Sequence, residues 1–246
     1  MSAIDINIHS KTYPAIDQVG VHLAIKNLQL SIKSGEFVCL VGPSGSGKTT
    51  LLNIIAKLDK DYEGEITVGR YNTQSKIGCI FQNPRLLPWR TVRENIELVL
   101  DTSQSLAIVD ELLEVMQFTD SQQVYPERLS LGMSRRVSII RAFAIEPEVL
   151  LMDEPFVSLD APTARQVREL LLKLWHDRPH TVLFVTHDLR EAITLADRLI
   201  FLSARPMSVV SEIVVTIPRA ERHNESVVEV FRQRLLNDYP EIKQLL

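Results

Sequence analysis

A glycine-rich turn between a buried strand and a helix constrains the fold more than any other feature. Residues 36–41 read Glu-Phe-Val-Cys-Leu-Val, a buried-strand pattern, and residues 42–49 read Gly-Pro-Ser-Gly-Ser-Gly-Lys-Thr. Three of only nine glycines fall in this turn, and glycine is needed where backbone bends sharply or approaches a ligand. Helical spacing follows at five apolar positions, Leu51, Leu52, Ile54, Ile55 and Leu58.

The turn fits G-x-x-x-x-G-K-[ST] in the strand–loop–helix context that this pattern requires. Backbone N–H groups of such a loop, together with the helix N-terminus, favour an anion at one spot. Lys48 is placed to reach the β and γ phosphates of a nucleotide, and the Thr49 hydroxyl to ligate Mg²⁺. The alternative, a chance glycine turn, does not account for this context. The segment therefore predicts nucleotide binding.

Continuous apolar runs predict buried parallel strands at residues 149–152, 181–186 and 198–202. Helical patterns at 161–175 and 188–196 alternate with them, which indicates an α/β fold with a parallel sheet. Strand signals vanish from about 91 to 145, a stretch that reads as a helical insert in the α/β core. Short alternating strands at 4–8 and 23–32 indicate an antiparallel edge layer. We expect one domain over 1–246, with a helical subdomain at about 91–145.

Composition excludes several classes of protein. Apolar residues make up 45% of the 246 and charged residues 24%, as in globular domains, so the chain is not disordered. No apolar run approaches the roughly 18 residues that span a bilayer, and no secretory signal is visible. Two cysteines, Cys39 and Cys79, form no disulfide framework, which favours the cytoplasm. A net charge of −4 offers no basic field for nucleic acid.

Polar residues close two of the predicted strands. Asp153 and Glu154 end one of them, and the carboxyl ends of parallel strands open onto the ligand crevice. Adjacent acids there can be merely solvated, but with a phosphate loop they predict a Mg²⁺ partner in Asp153 and a water-polarising group in Glu154. His187 ends another strand at the same edge, either as a γ-phosphate contact or as an ordinary strand-end histidine.

A second anion-binding feature is predicted at residues 129–133, Leu-Ser-Leu-Gly-Met. Ser130 is a good N-cap for the helix that follows. Gly132 then lies in the first helical turn, where glycine is unfavourable by about 1 kcal/mol relative to alanine, so close approach by another group is expected. On this segment alone, an ordinary capped helix remains the alternative.

Together these segments resemble the ATP-binding subunit of ABC transporters, and the resemblance covers nearly the whole chain. The motifs occur in family order. They are Walker A at 42–49, the Q-loop glutamine Gln82, the signature at 129–133, Walker B at 149–154, the D-loop at 158–160 and the switch histidine His187. Tyr13 is the candidate for stacking on adenine, with Tyr71 and Trp89 as the other aromatic candidates.

The resemblance implies a P-loop NTPase (RecA-like) core that uses ATP and Mg²⁺. It assigns catalytic roles to Glu154, His187 and Gln82, and metal contacts to Thr49, Gln82 and Asp153. The implied nucleotide-binding residues are Tyr13, Gly42, Pro43, Ser44, Gly45, Ser46, Gly47, Lys48, Thr49, Thr50, Ser130, Gly132 and Asp160.

The implied partners follow from the same family. Two copies, or one copy and a homologous ATPase subunit, face each other head to tail, with each ATP between one Walker A motif and the other signature. A side chain at Gly132 is then expected to intrude where the partner's γ-phosphate arrives. Membrane permease subunits bind the dimer, a solute-binding protein acts indirectly, and no nucleic acid is involved. The implied location is peripheral, on the cytoplasmic face of the inner membrane.

Residues 81–89, 186–192 and 203–206 resemble the importers for nitrate, sulfonates, taurine and bicarbonate. Two departures from the family pattern occur: Leu131 and Met133 replace glycine and glutamine in the signature, and Val157-Ser158 replaces Ser-Ala in the D-loop. Alternatives are a soluble ABC ATPase and a kinase-like P-loop phosphotransferase. The latter does not explain Gln82, Ser130 and His187 together.

Overall fold

The computed structural model describes residues 2–14, 21–69, 75–102, 104–177 and 180–245. Its strands, in chain order, are β1 Ser2–Tyr13, β2 His22–Lys33, β3 Phe37–Val41, β4 Glu63–Val68, β5 Ile77–Ile80, β6 Val149–Asp153, β7 Thr181–Thr186, β8 Arg198–Leu202 and β9 Val209–Val214. Its α-helices are α1 Lys48–Ile55, α2 Val92–Glu97, α3 Ala107–Val115, α4 Leu131–Ala144, α5 Ala161–Asp177, α6 Leu189–Leu195, α7 Glu225–Asp238 and α8 Pro240–Lys243. No helix in these ranges is long and apolar enough to cross a bilayer.

The chain forms two compact units, Met1–Thr73 with Thr181–Leu246, and Gln74–His180. The first unit contains the predicted antiparallel layer, a three-stranded sheet in the order β2-β1-β4. Alternate residues of β1, including Ile4, Ile6 and Ile8, are buried, as expected for a sheet with one face on the core. β1 is longer than the predicted strand at 4–8, and β4 was not predicted because Gly64 and two glutamates weaken its strand signal.

The first unit also holds the parallel strands, in the order β7-β3-β8, with β9 antiparallel to β8. Every residue of β3 and β7 is buried, which explains their continuous apolar sequences. In the register, Val41 pairs with Thr186 on one side and with Phe201 on the other. The loops that follow β3, β7 and β8 therefore begin at one edge of the sheet. This edge brings together the phosphate loop after β3, the turn with His187 after β7 and residues 203–206 after β8.

Helix α1 ends earlier than the predicted pattern, so placing Leu58 on its apolar face was wrong. Leu58 is 61% exposed, and its N–H donates to Asn53 O at 2.9 Å, while Lys57 N donates to Ile54 O at 2.9 Å. These two bonds form a Schellman ending, with Lys57 in the left-handed region at φ 61°. Glycine usually occupies that position, so the sequence carries no visible stop signal.

The segment after β9 is bonded to the end of helix α6. The buried Arg222 guanidinium donates to Ala196 O at 2.6 Å and to Ile217 O at 2.9 Å. Arg219 donates to Leu195 O at 3.1 Å and pairs with Asp197 at 2.6 Å. The last carbonyls of a helix have no partner within it, so these arginines satisfy the C-terminal end of α6.

The second unit contains a parallel pair of strands, β5 and β6, and helices α2 to α5. Ile80 pairs with Met152, so the residues that follow β5 and β6 begin at adjacent strand ends. The described residues between 91 and 145 hold α2, α3, α4 and two 3-10 turns, without a strand. The boundaries of the helical subdomain, about 91–145, stay a prediction.

Candidate functional site

The phosphate loop joins Val41 at the end of β3 to Lys48 at the start of α1. Gly45 and Gly47 have φ values of 73° and 112°, in the region that side chains disfavour. Gly42 lies against the strand next to it, because a Cβ there would stand 3.0 Å from Leu202 O. The three glycines therefore meet separate backbone requirements of one tight turn.

Lys48 places a positive charge over this loop. Its side chain is 6% exposed, and Nζ donates to Gly42 O and Pro43 O, both at 2.8 Å. Ser46, also buried, lies 3.5 Å away through its Oγ. A fixed ammonium beside the N-terminus of α1 fits an anionic group such as a phosphate.

Residues after β8 pack against the outside of the loop, a contact that the sequence did not predict. The Arg205 Nε donates to Gly45 O, and a Cβ at Gly47 would lie 3.8 Å from the Met207 sulfur. The Met207 N–H donates to Ala24 O at 2.8 Å, which ties the same segment to β2. In the sequence, residues 203–206 indicated only a resemblance to one group of importers. In the structure, Arg205 of this segment contacts the phosphate loop.

Tyr13 lies beside the helix that begins at the phosphate loop. Its hydroxyl is 3.1 Å from the Thr50 Oγ1, and its ring stacks on His22 with centroids 5.2 Å apart. The Lys11 ammonium lies 4.7 Å from the ring centroid. The adenine-stacking role of Tyr13 stays a prediction, and Tyr71, an alternative, lies outside the described residues.

His187 follows β7, at the same sheet edge from which the phosphate loop begins. The turn that carries it is fixed on both sides. Thr186 Oγ1 donates to Glu191 Oε2 at 2.9 Å and accepts from the Asp188 N–H at 3.0 Å. Asp188 caps α6 by accepting from the Arg190 and Glu191 N–H groups. This turn holds the exposed His187 side chain at the sheet edge from which the phosphate loop begins, and its contact with the γ-phosphate stays a prediction.

In the second unit, Asp153 and Glu154 stand at the end of β6. Asp153 is 7% exposed, while Glu154 has a left-handed φ of 44°. A non-glycine residue in that region is uncommon and is concentrated at functional sites. Gln82 follows β5, the neighbour of β6, and is exposed. The strand register thus brings Gln82, Asp153 and Glu154 to adjacent strand ends, while their roles in binding Mg²⁺ and in hydrolysis stay predictions.

Three side chains that the sequence did not single out hold the segment on both sides of Gln82, from residue 81 to residue 91. Arg135 donates to Phe81 O at 2.9 Å, and Arg141 donates to Pro84 O at 2.7 Å. Asn95, 1% exposed, accepts from the Leu87 N–H at 2.7 Å and donates to three carbonyls, those of Leu87, Arg90 and Thr91. Burial lowers the pKa of both arginines from the usual value. Two of the three lie on α4, whose helical pattern was predicted but whose contacts were not.

The signature segment opens α4 as predicted. The Ser130 Oγ accepts from the Met133 N–H at 3.2 Å, so Ser130 is the N-cap. Leu131 is the first helical residue and is 42% exposed. Gly132 is buried, and a Cβ there would lie 2.5 Å from Thr163 Cγ2. The expected close approach to Gly132 is thus present within the chain, from Thr163, while the approach of the partner's γ-phosphate stays a prediction.

Comparison with known proteins agrees with these features. The ABC transporter family model matches residues 25–157. The chain is 39% identical over 248 residues to the aliphatic sulfonates import ATP-binding protein SsuB of Bacillus subtilis, covering 99% of this chain and 96% of that one. It is 39% identical to the nitrate import ATP-binding protein NrtD of Synechococcus elongatus, over 89% of this chain and 83% of the relative.

A third relative is the bicarbonate transport ATP-binding protein CmpD of Synechocystis, 41% identical over 85% of this chain and 77% of the relative. Among solved structures, the dimeric ATP-binding cassette MJ0796 bound to ADP and Pi superposes with a TM-score of 0.73 at 33% identity, covering 87% of this chain and 100% of that chain. The predicted α/β fold is confirmed by this likeness. The phosphate loop, the signature segment at the start of α4 and these relatives together show that the chain belongs to the ABC transporter family.

Proposed function

We propose that this protein is the ATP-hydrolysing motor subunit of an importer for a small anionic solute such as a sulfonate, taurine, nitrate or bicarbonate. The Lys48 ammonium, held over the phosphate loop by two carbonyls at 2.8 Å, is the observation that carries ATP binding. The names of the relatives, which are import ATP-binding proteins for sulfonates and nitrate and a transport ATP-binding protein for bicarbonate, support the transported class.

In the hydrolytic reaction, we assign each residue one task. Lys48 and the loop N–H groups bind the β and γ phosphates, and His187 donates a hydrogen bond to the γ-phosphate. Glu154 accepts a proton from the attacking water, the role of a general base. Thr49, Gln82 and Asp153 supply the oxygens that would hold Mg²⁺, a hard cation that prefers oxygen ligands. When bound, Mg²⁺ neutralises the phosphate charge that develops as the bond breaks.

A second copy completes the site in this proposal. Ser130 and Gly132 at the start of α4, and Asp160 in the D-loop, are assigned to the ATP held by the partner's phosphate loop. The N-terminus of α4 suits this task because helix N-termini attract anions. The dimeric state of the MJ0796 cassettes, solved both with ADP and Pi and as a bacterial transporter cassette, supports the arrangement.

The permease contact is assigned to residues 82–89. Trp89 is 70% exposed, and Pro84, Leu86, Leu87 and Pro88 make this segment stiff and apolar. Such a surface suits a helix-in-groove contact with a cytoplasmic helix of the permease. The solute-binding protein then acts through the permease, and the ATPase lies peripherally on the cytoplasmic face of the membrane.

Two assays test the proposal. Purified protein should hydrolyse ATP in a Mg²⁺-dependent reaction that Lys48→Ala abolishes, while the exposed-surface variant Lys243→Ala leaves it unchanged. When it is reconstituted with its permease in proteoliposomes, the protein should drive ATP-dependent uptake of one labelled solute from this group: a sulfonate, taurine, nitrate or bicarbonate. Hydrolysis by a protein that neither binds the permease nor drives uptake of any of these solutes would favour a soluble ABC ATPase, and absence of hydrolysis in all conditions would contradict the proposal.

A further inference from the structure

Gly132 packs against one particular residue of its own chain. It is the second residue of α4, and a Cβ there would lie 2.5 Å from Thr163 Cγ2 and 4.0 Å from Leu159 Cδ2. Real Cβ atoms essentially never approach another atom so closely. The space that a side chain would need is therefore filled by the methyl group of Thr163, from the first turn of α5.

The orientation of Thr163 is fixed by Asp160. The Thr163 Oγ1 donates to Asp160 Oδ2 at 2.8 Å, and the Thr163 N–H donates to Asp160 Oδ1 at 3.0 Å. Both hydrogen bonds hold the pKa of the Asp160 carboxyl below its usual value, the backbone bond more strongly. Asp160 thereby caps α5 as a charged carboxylate.

The two contacts are coupled through one torsion angle. The hydroxyl and the methyl of threonine share the Cβ atom, so they rotate together about χ1, which has only staggered positions. The methyl cannot leave Gly132 unless the hydroxyl leaves Asp160. Any side chain at position 132 therefore disturbs the D-loop carboxylate through Thr163.

We propose that Thr163 is a positioning residue that holds the signature Gly132 and the D-loop Asp160 in one fixed relation. The inference rests on the proposed function, in which both segments face the partner's ATP. If Thr163 fixes their spacing, the two segments reach the composite site as one rigid unit. Glycine is then required at position 132 because a side chain there would displace Thr163 from Asp160 in the same chain, whether or not a partner is bound.

Paired substitutions separate the two halves of the Thr163 side chain. Thr163→Ser removes the methyl and keeps the hydroxyl, whereas Thr163→Val keeps the methyl shape and removes the hydroxyl. Gly132→Ala should lower kcat by about tenfold or more, without changing nucleotide affinity of the monomer, because it forces Thr163 to rotate. Gly132→Ala/Thr163→Ser should recover to within about threefold of Thr163→Ser alone, as expected for directly coupled residues. Gly132→Ala/Thr163→Val should not recover.

Hydrogen exchange supplies a readout that does not depend on activity. Peptides covering residues 156–165 should exchange faster in Gly132→Ala and return toward the wild-type rate when Thr163→Ser is added, since the Thr163 N–H is bonded to Asp160. The inference would be overturned if Gly132→Ala exchanged at the wild-type rate. It would also be overturned if Gly132→Ala/Thr163→Ser hydrolysed ATP as slowly as Gly132→Ala. An inactive wild type would instead contradict the proposed function, while the exchange data still decide the link through Thr163.

Discussion

The Arg205 guanidinium donates a hydrogen bond from Nε to the carbonyl oxygen of Gly45, in the middle of the phosphate loop. Gly45 has a left-handed φ of 73°, a conformation that glycine adopts without strain, and its carbonyl oxygen accepts this bond from outside the loop. The segment after β8 thus contacts the nucleotide-binding turn, although Arg205 is 160 residues away from Gly45 in the sequence.

Replacing Arg205 with alanine should weaken nucleotide binding. A hydrogen bond of this kind contributes about 0.5–1.5 kcal/mol, so we expect the dissociation constant for ADP to rise roughly two- to tenfold. Titration with a fluorescent ADP analogue measures the change. Arg234→Ala, which removes the same charge from an 81% exposed position on α7, is the control. Equal affinities for both variants would show that Arg205 does not support the loop.

Glu154→Gln should separate binding from hydrolysis. The amide keeps the shape of the carboxylate but accepts no proton, so turnover should fall by about two orders of magnitude or more while ATP still binds. The variant should also form a long-lived ATP-bound dimer, which gel filtration with ATP detects. Glu169→Gln, on the exposed face of α5, is the matched control. Near-normal turnover in Glu154→Gln would remove Glu154 from the role of general base.

Leu131 should not impair the signature segment. As the first residue of α4 it has ordinary helical dihedrals, and leucine is a good helix former, so glycine is not required there. Leu131→Gly should therefore change ATPase activity by less than about tenfold, or roughly 1.4 kcal/mol of barrier. Steady-state hydrolysis at saturating ATP tests this. A wild type that stays inert until Leu131 becomes glycine would show that the side chain blocks the site.

Asn95→Asp should destabilise the chain more than Asn95→Ala. Alanine leaves the Leu87 N–H without its acceptor and removes the side-chain donor from three carbonyls, of which those of Leu87 and Thr91 keep backbone donors, at a cost on the order of 1–3 kcal/mol. Aspartate keeps the acceptor but turns a buried negative oxygen toward three carbonyls. Urea unfolding followed by tryptophan fluorescence should rank the variants, and the loss in Asn95→Asp should shrink toward acidic pH, where the carboxyl is protonated. A more stable Asn95→Asp would contradict the assigned amide orientation.

The native thiols should resist alkylation at pH 8. Burial raises the pKa of Cys79 to about 11 and that of Cys39 well above its ordinary value near 9, so the thiolate is scarce in the folded protein. Because the folded state favours the protonated thiol, this contribution to stability is complete below pH 9 and is lost as the pH rises toward 11. The rates of iodoacetamide labelling at pH 8 with and without urea measure this resistance to alkylation. Equal labelling rates in both conditions would contradict the burial.

How far the sequence could predict this molecule depends on whether a feature is local. The phosphate loop, the Ser130 cap and the acids at the end of β6 each lie within a few consecutive residues, so local sequence was enough to predict their places in the fold. The Arg205–Gly45 and Thr163–Gly132 contacts join segments that are far apart in the chain, and no periodicity encodes them. The end of α1 was missed for another reason, since a lysine occupies the left-handed position that glycine usually marks.

The bonds from Arg219 and Arg222 to the end of α6 restrict how the protein can be shortened or fused. Helix α6 follows the turn that carries His187, so a truncation before residue 219 would leave its last carbonyls exposed and loosen that turn. A purification tag or fluorescent label attached beyond α8 leaves both arginines in place. Engineering at the carboxyl end should therefore treat residues 215–222 as part of the catalytic scaffold.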